Sequence, residues 1–228
     1  MADPSSSNAA TLLPCVEHEP TRTATHAVIW LHGLGADGND FMPIVPELGL
    51  PADLPVRFVF PHAPSMPVTV NGGVTMPAWY DILDIQIDRK VDETQLRHSA
   101  QAAHRLIDRE IERGIPAERI ILAGFSQGGA VAYEAALTYP QKLAGLMALS
   151  TYFATADSVV LSEASQGLPI LINHGTQDPV VPESLGRAAV DRLQTLGFKP
   201  EYQSYSMPHA VSPDQIRDIG QWLQQRLN

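Results

Sequence analysis

The stretch Ile120 to Ala130, IILAGFSQGGA, decides the fold. Its first four residues are aliphatic, and two of them are β-branched, which is typical of a buried strand in a parallel sheet. We predict that this strand ends at Gly124. Residues 124–128 fit the pattern G-x-S-x-G, in which a strained strand-to-helix turn lifts a serine hydroxyl out of the sheet. Ser126 is therefore a candidate nucleophile. The other interpretation is a glycine-rich turn without a chemical role.

Composition and charge indicate an ordinary globular protein and argue against two classes of partner. The chain has 228 residues, of which 44% are hydrophobic and 18% are charged, so it can bury a sizeable core. Its formal net charge is -10, and it has no cluster of Lys and Arg. Nucleic acids and anionic membranes both require a positive surface. No stretch approaches the roughly 20 apolar residues that cross a bilayer. We therefore expect no nucleic-acid partner and no stable membrane association.

The N-terminus and the cysteine content bear on compartment and domain organisation. Residues 1–10 are small and polar, and we expect them to be disordered. They lack the basic start and the apolar run of a secretory signal, and the single cysteine, Cys15, cannot close an internal disulfide. These features favour a cytoplasmic location for the protein. The 19 prolines lie mostly between periodic segments, so residues 11–228 are expected to form one domain.

Strands and helices are predicted to alternate along the chain. Apolar runs predict an edge strand at 12–19 and further strands at 26–32, 56–60, 120–123, 144–150, 169–174 and 200–206. Helical periodicity predicts helices at 92–113, 128–139, 183–196 and 214–227, with a short or irregular one at 41–48 that Asn39 or Asp40 caps. This alternation predicts an α/β fold with a mostly parallel central sheet and helices on both faces.

Residues 64–88 are predicted to form a long irregular connection, with a tight turn at Asn71, Gly72 and Gly73. Long loops in compact domains are often functional. No large cap domain is expected, so the site should be exposed.

A base is required for Ser126 to act, because a serine hydroxyl is a poor nucleophile at neutral pH. Ligands of parallel sheets bind at the carboxyl ends of the strands, which favours histidines that follow a strand. His209 follows the last predicted strand, in SMPHAVSP, and we assign it as the base. His174 ends the preceding strand and is the main rival.

An acid is required to orient the base. Asp178 lies in the turn after the strand at 169–174, between a glycine and a proline, and is preferred. Asp157 is the second choice. Three further aspartates lie upstream of the serine: Asp81, Asp84 and Asp88. The order Ser126, Asp178, His209 is that of α/β-hydrolases, in which the acid lies between the nucleophile and the histidine.

Backbone N–H groups are needed to stabilise the oxyanion that forms during acyl transfer, and they serve only where the main chain approaches closely. One donor is expected to be the N–H of Gln127, which follows the serine at a helix N-terminus. The second is expected in the glycine-rich loop 33–38, where Leu34 is the best candidate. The other interpretation of this loop is a tight connector.

Five segments together resemble one known family. They are HGLGADG at 32–38, AWYDI at 78–82, GFSQGG at 124–129, HGTQDPVV at 174–181 and MPHAVSP at 207–213. They are similar to the small carboxylesterases and acyl-protein thioesterases of the phospholipase/carboxylesterase family, in the α/β-hydrolase superfamily. The resemblance covers about residues 12–227.

The resemblance implies an α/β-hydrolase fold and a role for each candidate residue. Ser126, Asp178 and His209 would form the catalytic triad, and the backbone amides of Leu34 and Gln127 the oxyanion hole. It also implies cleavage of short- to medium-chain acyl esters and, in some members, of thioesters of S-acylated proteins or of lysophospholipids. The residues around His209 vary within the family and do not settle the substrate.

We therefore expect a serine carboxylesterase that hydrolyses a small-molecule acyl ester through an acyl-enzyme. The alternative is an acyl-protein thioesterase, with an acylated protein as partner, or a lysophospholipase. A non-catalytic binding module on a hydrolase fold is less favoured. No cofactor is expected, and no metal either, because HxxH and HExxH spacings are absent and Cys15 is alone.

The acyl pocket has three candidate residues, Trp79, Leu83 and Val180. Apolar side chains near strand ends pack against the core more often than they contact a ligand, and Trp79 is equally suited to anchor the long loop. The sequence leaves a homodimer open, because no heptad or apolar stripe demands one.

Overall fold

In the part of the chain that the structure describes, the strands form one large sheet and two small ribbons. The computed structural model describes residues 12–85 and 89–228, so the disorder expected at 1–10 and the rival acid Asp88 lie outside the described residues. In chain order the strands are β1 (Cys15–His18), β2 (His26–Leu31), β3 (Val56–Pro61), β4 (Ser65–Val68), β5 (Val74–Pro77), β6 (Ile82–Asp84), β7 (Lys90–Val91), β8 (Ile120–Phe125), β9 (Gly145–Leu149), β10 (Ile170–Gly175) and β11 (Glu201–Tyr205).

The helices lie between these strands, as the periodicity predicts. The α-helices of the described chain are α1 (Glu93–Glu112), α2 (Gln127–Thr138), α3 (Glu183–Thr195) and α4 (Pro213–Leu227). Short 3₁₀ helices span Met42–Leu48, Thr69–Asn71, Ala117–Arg119 and Glu163–Ser165.

The large sheet has seven strands in the order β1-β3-β2-β8-β9-β10-β11. Strand β1 pairs antiparallel with β3, and every other pair in this sheet is parallel. Strand β8 lies at the centre, between β2 and β9. The predicted mostly parallel sheet is confirmed, and the carboxyl ends of its parallel strands meet at one edge. That edge is where ligands of such sheets bind.

Helices cover both faces of the sheet, which explains why its strands are continuously apolar. Successive side chains of a strand point to opposite faces, so Ile121 and Leu122 enter different cores and both are fully buried. Helices α1, α2 and α3 cover the face of Leu122. Helix α4 and the 3₁₀ helix at Met42–Leu48 cover the face of Ile121.

Helix α2 begins very close to the sheet because glycines occupy its points of contact. A Cβ atom on Gly124 would lie 2.3 Å from the carbonyl oxygen of Gly128. One on Gly128 would lie 2.5 Å from the carbonyl oxygens of Leu31 and His32. Backbone atoms cannot yield to such contacts, so both positions require glycine. The turn between β8 and α2 is therefore held tightly against β2.

The connection after β3 is more ordered than the sequence predicts. Where one irregular loop was expected, β4 pairs with β5 and β6 with β7, both antiparallel. Prolines at 64, 67 and 77 obscure the strand signal, because proline cannot donate to a ladder. The predicted tight turn is confirmed, since Gly72 and Gly73 have positive φ angles of 67° and 77°.

The short helix predicted at 41–48 forms, but neither Asn39 nor Asp40 caps it. It is the 3₁₀ helix Met42–Leu48, whose preceding residue is Phe41 and which has no side-chain cap. Asn39 instead donates its backbone N–H to the Asp37 carboxylate at 2.7 Å. Two prolines in the segment keep it short, as expected.

Candidate active site

Ser126 occupies a strained turn at the carboxyl end of the central strand. Its φ and ψ angles are 53° and -120°, a conformation that residues other than glycine rarely adopt. Its N–H donates to the carbonyl oxygen of Leu149 at 2.9 Å, and its carbonyl oxygen accepts from the hydroxyl of Thr151 at 2.6 Å. The end of β9 thus fixes the serine backbone from both sides, and the side chain faces a cleft.

A chain of hydrogen bonds joins Ser126, His209 and Asp178. His209 Nε2 lies 2.9 Å from Ser126 Oγ, and His209 Nδ1 lies 2.6 Å from Asp178 Oδ2. These distances are those of a nucleophile, its base and the group that orients the base. The three residues follow β8, β11 and β10, so the sheet edge brings together side chains that lie far apart in the sequence.

Asp178 is buried and held by backbone donors. Its Oδ1 atom accepts hydrogen bonds from the N–H groups of Val180 and Val181 at 2.9 and 2.8 Å. Burial alone would raise the pKa of this carboxyl, but the bonds with His209 and with these N–H groups outweigh burial and leave the pKa below its usual value. Asp178 is therefore ionised at neutral pH and can hold an imidazolium.

His174, the rival base, packs behind the acid and does not reach the serine. It is fully buried, its Nε2 lies 2.8 Å from the carbonyl oxygen of Val181, and the same nitrogen lies 3.8 Å from Asp178 Oδ2. Burial lowers its pKa, which keeps the ring neutral at pH 7. His174 therefore supports the turn that carries Asp178, through its hydrogen bond to Val181.

The rival acids lie elsewhere. The Asp157 side chain is fully exposed and its charged neighbour is Arg192, at 3.8 Å. Asp81 accepts hydrogen bonds from the backbone and the hydroxyl of Thr69 at 2.7 and 2.6 Å. Neither carboxylate contacts His209, so the structure supports the preference for Asp178.

Leu34 and Gln127, the expected oxyanion donors, both line the cleft in front of Ser126. Gln127 is the first residue of α2, and its buried side chain accepts from the N–H of Trp79 at 2.8 Å and donates to the carbonyl of Tyr80 at 2.6 Å. The loop at Leu34 is fixed by Gly35, whose φ is 77° and whose N–H donates to the Pro77 carbonyl at 2.9 Å.

The cleft has a volume of about 390 Å³ and a mostly apolar lining. Besides Leu34, Ser126 and Gln127, the lining residues are Val70, Asn71, Ile82, Ile85, Arg89, Tyr152, Pro179, Val180 and Pro182. The small ribbons therefore supply one wall and the turn after Asp178 the other. Of the three residues expected in an acyl pocket, Val180 lies in the lining.

The other two residues expected in the acyl pocket, Trp79 and Leu83, do not line the cleft. Trp79 is 1% exposed, and its indole Nε1 donates to the carbonyl oxygen of His32 at 2.8 Å, so it anchors the connection to the sheet. Leu83 is 48% exposed and points away from its neighbour Ile82, since successive strand side chains alternate. Ile82 lines the cleft instead.

Cys15 carries the single thiol of the chain and is the other candidate for a nucleophile. Burial raises the pKa of its thiol to about 11, and its Sγ donates to the carbonyl of Leu13 at 3.3 Å. The thiol is therefore protonated at neutral pH and is a poor nucleophile.

Within residues 12–85 and 89–228, no group of three or more His, Cys, Asp or Glu side chains is placed to hold a metal ion. The helices there lack the combination of length and apolar character that a membrane crossing requires.

Comparison with known families agrees with this geometry. The model of the phospholipase/carboxylesterase family matches residues 15–227. The chain belongs to this family. It is accordingly a serine hydrolase with the α/β-hydrolase fold, which confirms the resemblance seen in the sequence.

Relatives within the family carry thioesterase names. The chain is 37% identical to acyl-protein thioesterase 1 of Cryptococcus neoformans, with 95% of this chain and 99% of the relative covered. It is 39% identical to acyl-protein thioesterase 1 of Neurospora crassa, with 89% and 87% covered. Among solved structures, Zea mays acyl-protein thioesterase 2 matches with a TM-score of 0.84 and 27% identity, covering 95% of this chain and all of that one.

A pH dependence of stability follows from the buried histidines. Burial lowers the pKa of His32, His104 and His174 below the value of 6.5 that they have when exposed. As the pH falls through 6.5, the unfolded chain binds protons that the folded protein does not, so the free energy of unfolding decreases. Urea unfolding at pH 7.5, 6.0 and 5.0 should therefore show falling midpoints.

His104 supplies the control for this pH effect, because its Nε2 donates to the Ala135 carbonyl and so joins α1 to α2, away from the candidate active site. His104→Gln should make the fall in midpoint between pH 7.5 and 5.0 shallower. An unchanged slope in this variant would contradict the assignment.

Proposed function

We propose that the protein is an acyl-protein thioesterase, in which Ser126, His209 and Asp178 form the catalytic triad. The observation that carries the proposal is the hydrogen-bond chain through these residues, at 2.9 and 2.6 Å, beside an apolar cleft of about 390 Å³. The thioesterase names of the relatives favour this substrate over the short- to medium-chain carboxylic esters that we expected first. The partner is then an acylated protein, and the two would interact in the cytoplasm. Residues 11–228 would form the single catalytic domain.

The first half of the reaction forms an acyl-enzyme. His209 Nε2 takes the proton of Ser126 Oγ as this oxygen attacks the carbonyl carbon of the thioester. The tetrahedral oxyanion accepts hydrogen bonds from the N–H groups of Leu34 and Gln127. The intermediate then collapses, the C–S bond breaks, and His209 returns its proton to the departing cysteine sulfur.

The second half releases the fatty acid. His209 removes a proton from water as the water oxygen attacks the acyl-serine carbonyl, and the same oxyanion donors act again. Collapse of this intermediate breaks the bond to Ser126 Oγ, which recovers its proton from His209. Asp178 keeps the ring in the required tautomer and stabilises the imidazolium in both halves.

The lining of the cleft fits an acyl chain. Valine, isoleucine and proline side chains cover the walls, and such walls stabilise a chain by about 0.8 kcal/mol for each buried methylene. The exposed side chains of Ile85 and Val180, 63% and 52% exposed, leave the mouth open to a large leaving group. A protein cysteine can therefore approach the serine.

The substrate assignment is tested with a matched pair of acylated peptides. A peptide with a palmitoylated cysteine and the same peptide with a palmitoylated serine differ only in the leaving atom. We expect kcat/KM for the thioester to exceed that for the ester at least tenfold, and Ser126→Ala to lower turnover of both by at least about 10000-fold. Rapid hydrolysis of p-nitrophenyl butyrate with no hydrolysis of the thioester would restore the carboxylesterase assignment.

The choice of acid is tested by two amide substitutions. Asp178→Asn keeps the shape of the side chain but removes its charge and favours the wrong tautomer of His209, so kcat should fall by about 1000- to 10000-fold. Asp157→Asn changes an exposed carboxylate remote from His209 and should leave kcat within about twofold, as for surface changes in general. Equal losses in steady-state kcat for the two variants would sink the assignment.

A further inference from the structure

Arg89 lies between two cavities. Besides the cleft at Ser126, the structure has a second cavity of about 180 Å³, located between the end of β9 and helix α3. Apart from Arg89 and Tyr152, its lining is wholly apolar: Phe153, Ala154, Ala156, Leu185, Ala188 and Ala189. Arg89 and Tyr152 line both cavities. These two side chains are therefore the partition between the cleft and the second cavity.

The partition is held by contacts on both sides. The Arg89 guanidinium lies 5.1 Å from the centroid of the Tyr152 ring, and its Nη2 donates to the carbonyl oxygen of Val180. The Tyr152 hydroxyl bonds in turn to the Tyr80 hydroxyl at 2.8 Å. Arg89 directly precedes β7, and its hydrogen bond to Val180 ties this segment to the turn that carries Asp178, 91 positions later in the sequence.

The chemistry of the partition opposes the passage of an acyl chain. Arg89 carries a full charge, and its Nε is buried without a hydrogen-bond partner in the described chain. The terminal methyl group of an acyl chain, placed against the guanidinium, would displace its water and offer no hydrogen bond in exchange. Desolvation of this kind is costly for an ionised group. An apolar chain should therefore extend along the cleft and stop at this wall, although apolar space continues behind it.

We propose that Arg89, stacked on Tyr152 and bonded to Val180, is a specificity-determining residue that sets the longest acyl chain the cleft accepts. The proposal rests on the function proposed above, since it places the acyl chain in the cleft at Ser126. Removing the guanidinium would join the two cavities and allow longer chains to be buried. Each methylene that gains burial is worth roughly a fourfold change in kcat/KM.

The test measures chain-length profiles of Arg89→Ala and of a matched control. Arg187→Ala removes an arginine that also lies over a tyrosine, with its guanidinium 5.0 Å from the Tyr202 ring, but whose side chain is 59% exposed and lines neither cavity. Values of kcat/KM are measured on p-nitrophenyl esters with acyl chains from butyrate to palmitate. The ratio of the palmitate to the butyrate value should rise at least tenfold in Arg89→Ala and stay within twofold in Arg187→Ala.

A second substitution tests the route that the chain takes. In the double variant Arg89→Ala with Ala188→Phe, the phenyl ring fills the second cavity, so the ratio should return toward the wild-type value. Tyr152→Val removes the other half of the partition and should shift the ratio in the same direction as Arg89→Ala. It serves as the substitute if Arg89→Ala does not fold.

An unchanged ratio in folded Arg89→Ala would overturn the proposal. If kcat/KM also fell equally on all chain lengths, Arg89 would be assigned to a polar part of the substrate. Failure of the proposed function is separate from these. It would show as wild-type protein that hydrolyses esters but not the palmitoylated-cysteine peptide, or as wild-type protein that hydrolyses neither and whose Ser126 is not labelled by a fluorophosphonate.

Discussion

The close contact between the central strand and helix α2 is the constraint on which the site depends. Gly124 and Gly128 allow backbone to meet backbone where any Cβ would collide, at 2.3 and 2.5 Å. Because the helix begins so near the sheet, Ser126 is forced to a φ of 53°, and its hydroxyl stands above the sheet edge. The strain is local, and the hydrogen bonds that Ser126 donates to Leu149 and accepts from Thr151 stabilise this conformation.

The same sheet edge supplies the rest of the machinery. Strand β10 ends in a turn whose N–H groups keep Asp178 ionised inside the protein, and the segment after β11 returns His209 to the serine. The turn after Asp178 is also a wall of the cleft through Val180, which Arg89 binds from the opposite side. The loop that carries the acid therefore also holds, through the carbonyl oxygen of Val180, the arginine that we propose limits the acyl chain.

The sequence was sufficient for the fold and for the three candidate residues that the structure joins by hydrogen bonds. Continuous apolar runs identified the parallel strands, and strand ends followed by Ser126, Asp178 or His209 identified the site. It was insufficient for the cleft, because its lining depends on contacts across distant segments: nothing local distinguishes buried Trp79 from lining Ile82, or links Arg89 to Val180. The ribbons β4–β5 and β6–β7 were missed because prolines and short strands weaken the pattern of alternation.

Direct observation of the acyl-enzyme tests the central claim. Wild-type protein is mixed with a palmitoyl-cysteine peptide, quenched in acid within milliseconds and digested with pepsin, and the acylated peptide is sequenced by mass spectrometry. The account predicts one palmitoyl group, carried by Ser126. Palmitate on Cys15, the chain's single thiol, or release of the fatty acid with no acylated peptide at any quench time, would contradict it.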